Sequence, residues 1–89
     1  MRDATLPSAD PSPLHVLLLE RDEQRARAER LRLTMLGCRV SVAADATHAM
    51  ELAISERPDL VLARGDGDLL GRLAADPRTR TITVVEGGE

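Results

Sequence analysis

"PDLVLARGDGDLL", residues 58–70, opens as a buried strand and closes on charge. Leu60-Val61-Leu62-Ala63 is an apolar run without alternation, the pattern of a strand covered on both faces. Arg64 then stands where the strand empties into a loop, followed by Gly65-Asp66-Gly67-Asp68. In open α/β sheets the carboxyl ends of the strands are where ligands and chemistry are held. A guanidinium at that edge is the feature the rest of the sequence has to explain.

Outward from this stretch the same grammar repeats. "HVLLLE" (15–20) is another continuous apolar run of strand length. Asp22 can cap the segment "EQRARAERLRLTML", in which Ala28, Leu31 and Met35 recur at helical spacing, and Gly37 supplies a left-handed stop. "CRVSVA" (38–43) alternates like a half-exposed edge strand. Asp45 can cap a second helix that sets Ala49, Met50, Ala53 and Ile54 on one face and ends at Pro58. After "DLVLA" come a short helix, "DLLGRLAA", interrupted by Gly71, a turn, "DPRTR", and a final strand, "TITVV" (81–85). The order β-α-β-α-β-α-β with short connections calls for a parallel sheet with right-handed crossovers. Residues 1–13 hold three of the five prolines without periodicity and read as a disordered tail, leaving 14–89 as one domain.

Composition narrows the function classes. There is no Phe, Tyr or Trp, and 12 of the apolar residues are Ala. A core of Leu, Val, Ile and Met without aromatics implies modest stability. A net charge of −3 and the lack of stacking side chains point away from nucleic acid. The single Cys38 leaves no internal disulfide and fits a reducing compartment. No stretch has the ~18 apolar residues of a membrane span, and Leu14–Leu19 is too short for a signal-peptide core, so the cytoplasm is the expected compartment and no membrane partner is expected.

Taken together, "VLLLERDE", "LGCRVSVAADATHAMELAISERPDLVLA" and "LAADPRTRTITVV" resemble the receiver domain of two-component response regulators. The likeness runs from about His15 to Val85. It implies a flavodoxin-like, three-layer, doubly wound parallel sheet, in the order 2-1-3-4 as far as this chain goes, without helix 4, strand 5 and helix 5. It also implies a chemistry. Receivers hold Mg²⁺ on acidic residues after strand 1, accept a phosphoryl group on an Asp ending strand 3, and sense it through a Thr or Ser ending strand 4 and a Lys ending strand 5.

Position by position, that chemistry is missing. The acidic pair falls on Glu20 and Arg21, so one carboxylate has given way to a cation. Asp22, one residue on, is better read as the helix cap than as a ligand. The phosphoacceptor position falls on Arg64, which has no nucleophilic lone pair. Gly88 is the nearest match to the Thr or Ser, and the chain contains no Lys at all. The segment between Arg64 and "ADP" is also shorter than the family's. No cofactor is therefore expected; were Mg²⁺ bound, Glu20 and Asp66 would be its ligands.

Two readings of Arg64 stand open. In one it lies across the carboxyl edge, paired with Glu20 and with Asp66, replacing metal and phosphate by a fixed charge. In the other it points into water. "GDGD" is better explained as a tight turn and helix cap than as a phosphate loop, because its acids would repel phosphate. His15 and His48 read as surface residues without metal-ligand partners, Met35 and Met50 as core filler, Cys38 as a small apolar residue, and "RARAERLR" as a solvated helix face.

The resemblance implies that helix 5 packs beside helix 1 over the sheet. In its absence the apolar side chains of strands 1 and 3 on that side should be partly uncovered, and strand 81–85 should form an open edge. A protein partner or a second copy would cover both. Three functions are open: a receiver-like module, not an enzyme, that does not take phosphate and acts through protein contacts in two-component or phosphorelay signalling; a working Mg²⁺-dependent phosphoacceptor using Asp66; and a non-functional remnant.

Overall fold

The apolar runs form four parallel strands in a computed structural model that describes residues 13–64 and 67–87. The elements are β1 (His15–Leu19), α1 (Glu23–Met35), β2 (Arg39–Ala43), α2 (Ala46–Glu56), β3 (Leu60–Arg64), α3 (Gly67–Ala75) and β4 (Thr83–Gly87). The sheet runs β2-β1-β3-β4, with β1 and β3 central, which is the expected order. The expected tail lies almost wholly outside the described residues.

Side-chain alternation sorts the strands into two faces. Leu17, Leu19, Val61 and Ala63 join Ala49, Met50 and Ala53 of α2 and Leu69 and Leu73 of α3 in one core cluster, with Ile82 and Val84 packed against it. Val16 and Leu18 point the other way, towards α1, and are also fully buried.

Local punctuation behaves as the sequence suggests. The Asp22 carboxylate accepts from the Gln24 and Arg25 N–H groups, and Asp45 accepts from His48 N–H, closing the two helix starts. Gly37 takes φ +94° after α1, a backbone state that costs glycine nothing. Arg57 ends α2 in the left-handed region, at φ 53°, and Pro58 then bars continuation.

Four expectations are corrected. The Ala28, Leu31 and Met35 stripe does not face the sheet: Leu31 is 61% and Met35 78% exposed, while Ala26 and Leu33 turn inward. Met35 is therefore not core, because α1 lies alone on its side and only one flank of it meets the strands. β4 begins at Thr83, not at Thr81. The Thr79 hydroxyl is fully buried and donates to Leu73 O at 2.8 Å, and Ile82 N–H donates to Thr79 O, holding 79–82 in a turn.

The remaining two concern His15 and strand 1. His15 is buried, not on the surface. Its Nε2 lies 3.0 Å from Ser41 Oγ and 3.2 Å from Glu56 Oε1, and the Ser41 hydroxyl donates to that same Glu56 oxygen at 2.7 Å. With the only hydroxyl proton spent on Glu56, Nε2 has to carry a proton and donate. The cluster ties β1, β2 and the end of α2 together at the amino edge of the sheet. As for strand 1, its α1-facing side chains are covered; only Leu60 and Leu62 of β3 are partly open, with Val85 of β4 at 45% exposure.

Candidate functional site

Sheet register brings the site together. β1 and β3 run in parallel with Leu19 beside Ala63, so the next residue on each strand, Glu20 and Arg64, emerges side by side on the α1 face at the carboxyl edge. Glu20 N–H donates to Ala43 O at 3.2 Å, anchoring the end of β1 to β2. Arg64 closes β3 in register with Gly87 of β4.

Arg64 Nε lies 2.9 Å from Glu20 Oε1. The carboxylate is 7% exposed and the guanidinium 29%, so of the two readings of Arg64 the paired one is realised. Asp66, the other suggested partner and candidate displaced acid, lies outside the described residues, as does Gly88. Glu20 Oε2 accepts from the Asp22 backbone N–H at 3.0 Å. Its Oε1 is buried and receives no hydrogen bond of normal geometry. The 2.9 Å contact puts the charges together without aiming the Nε–H along the oxygen, so the attraction is Coulombic more than directional.

The neighbouring residues complete the edge. Asp22 Oδ1 accepts from Gln24 N–H at 2.9 Å and Arg25 N–H at 3.1 Å, which makes it the cap of α1 and spends its carboxylate there. Arg21 is exposed between Glu20 and Asp22. An open cleft of about 430 Å³ beside them is lined by Glu20, Arg21, Glu23, Val42 and His48, among others.

Among the described residues the donor set falls short of what a divalent cation asks for. Mg²⁺ asks for near-octahedral oxygen ligation and holds several waters besides one or two carboxylates. Among the described residues, one carboxylate is held by a guanidinium and a backbone N–H, and the Asp22 carboxylate caps a helix. Among the described residues no group of three His, Cys, Asp or Glu side chains is arranged to hold a metal. Arg64 itself carries no nucleophile.

No protein-family model matches the chain, and no curated protein matches it. Solved structures do. The chain superposes on the N-terminal domain of a response regulator receiver protein from Methanoculleus marisnigri with a TM-score of 0.80 and 25% identity. It superposes on a response regulator from Desulfuromonas acetoxidans with a TM-score of 0.74 and 21% identity. In both comparisons 84% of this chain is covered, and the chain spans 66% of the length of the structure it matches. Among the described residues no helix is long and apolar enough to cross a membrane. The parallel order β2-β1-β3-β4 with three helices is that of a response-regulator receiver domain through its fourth strand.

Proposed function

We propose that the chain is a receiver-like module of two-component or phosphorelay signalling, working in the cytoplasm, that does not take a phosphoryl group and acts through protein contacts. One observation carries the reading: the guanidinium of Arg64 stands at the end of β3, 2.9 Å from the buried Glu20 carboxylate. A cation there repels a divalent metal and offers no acceptor oxygen. The same pairing holds the edge in one arrangement without a ligand, so the module is constitutive, not switched. It needs no cofactor, and it is a binding module with no enzyme activity of its own.

Incubation with acetyl phosphate and Mg²⁺ followed by intact-mass measurement tests the reading. The expected result is an unchanged mass. A stable phosphoryl increment mapped to Asp66 overturns it in favour of a displaced phosphoacceptor.

A further inference from the structure

We propose that the outer edge of β2, with the flank of α1 that overhangs it, docks an extended acidic segment of a partner protein, which joins the sheet as a further strand. The inference deepens the contact-based reading above, on which it rests, by naming the surface and the chemistry of the partner. β2 lies at the end of the sheet away from β4, and both elements that adjoin it in sequence, α1 and α2, are described. Backbone bonds fix which of its groups are open. Arg39 N–H donates to Leu14 O at 2.8 Å, and Ala43 O accepts from Glu20 N–H at 3.2 Å. Alternate residues of β2 therefore face β1, and the N–H and C=O groups of Val40 and Val42 face outward. The side chains of these two valines stand on the α1 face, in register with Val16 and Leu18 of β1, and are half-buried there.

Charge selects the occupant. Two adjoining hollows of about 200 and 280 Å³ lie on this flank, lined by Ala26, Arg27, Arg30, Leu31, Thr34 and Val42. Arg27 and Arg30 border both and are exposed, and Glu23 is the one acid that lines either. Arg39 opens β2 on the other face of the sheet and is exposed too. None of the three arginines is in an ion pair among the described residues. A second copy is the wrong occupant. Two-fold pairing of β2 with β2 lays both α1 helices on one side of the joined sheet, and sets Arg27 and Arg30 of each copy against those of the other. An extended segment in which acids alternate with β-branched residues instead meets the open backbone groups and reaches Arg27 and Arg30 with its carboxylates.

Fluorescence anisotropy on the 89-residue chain, with a fluorescein-labelled octapeptide of alternating Glu and Val as the probe, tests the docking. The expected result is saturable binding at physiological salt. The double variant Arg27→Glu with Arg30→Glu should weaken it roughly tenfold or more. Both positions are exposed, so the variant folds as the parent does. Two further peptides, N-methylated at each Val or at each Glu, leave the chain untouched. The one whose methyl groups meet β2 should bind roughly tenfold or more weakly than the other. No saturation by millimolar peptide, an affinity indifferent to the charge reversal, or two N-methylated peptides that bind alike would each overturn the proposal. An oligothymidylate that binds more tightly than the peptide would do so too. An unchanged mass with acetyl phosphate and no peptide binding removes this inference alone, whereas a phosphoryl increment alongside peptide binding removes only the reading of Arg64.

Discussion

At the scale of single residues, the Glu20 carboxylate is a buried charge with a desolvation cost to offset. It is buried with one oxygen lacking a directional hydrogen bond, and the Arg64 charge beside that oxygen, with the Asp22 N–H on the other, offsets its desolvation. Removing one partner of such a pair is far worse than removing both. Arg64→Ala should therefore destabilise the chain by about 1–3 kcal/mol in urea unfolding, less than a fully buried pair because the guanidinium is part-exposed. The paired change Glu20→Met with Arg64→Met should stay within about 1 kcal/mol of the parent; a double variant as unstable as the single would show that the pair itself stabilises. The shared edge was legible through the resemblance, which sets Glu20 and Arg64 at the ends of neighbouring strands, but whether Arg64 pairs or points into water is decided only by the register of β1 on β3. The Asp22 N–H bond to Glu20 and the His15 cluster were not legible, since each depends on side-chain directions that strand spacing leaves open. A second residue-scale prediction concerns Asp76. The Arg78 side chain donates to its carboxylate from Nε and Nη2, and the Arg78 backbone N–H adds a third bond; together these hold its pKa at about 2, against an ordinary 3.8. A depressed carboxylate stabilises the fold above its unfolded-state value and loses that contribution as pH falls through the folded value. Thermal melts should show the parent losing ground to Asp76→Asn between about pH 4 and 2 and not above, and a parallel acid limb in both would refute it.

At the scale of elements, caps and stops were readable because they are local: Asp22, Asp45 and Gly37 satisfy backbone groups within a few residues of themselves. Helix facing was not. Periodicity identifies an apolar stripe on α1, but the stripe of Leu31 and Met35 looks the same in sequence whether or not something covers it. The structure leaves it exposed and rotates Ala26 and Leu33 inward. Leu31→Gln and Met35→Gln should accordingly change stability by no more than about 0.5 kcal/mol in urea titrations, against about 2–5 kcal/mol for Leu18→Ala in the core. A cost above 1 kcal/mol for either glutamine, by the same rule, would mean the stripe is packed. The start of β4 was misplaced for a related reason. Thr81 and Ile82 favour strands by propensity, but the Thr79 hydroxyl binds Leu73 O and the Ile82 N–H donates to Thr79 O, so both residues stay in the turn and tertiary contact outweighs propensity. Thr79→Val should cost about 1–2 kcal/mol through that lost bond; a neutral effect would make the turn independent of it.

At the scale of the whole molecule, three crossovers and four strands were legible because alternation of apolar runs and helical stripes with short connections leaves few topologies. What the chain does with its open edge was not, since an edge strand and a paired strand share one composition. The fold has a core of Leu, Val, Ala and Met without an aromatic side chain, and Leu31, Met35, Leu36 and Val85 remain exposed. If β4 closes on a second copy, folding and association are linked, and the midpoint of unfolding must depend on concentration. A hundredfold rise in chain concentration through the dimer regime adds about 2.7 kcal/mol per dimer, half of that per chain. For a domain of this size that raises Tm by roughly 5–10 °C. Calorimetry or circular-dichroism melts over that range measure it directly. A Tm that does not move with concentration would mean the four-stranded unit is stable alone, and that nothing in its energetics calls for a second edge.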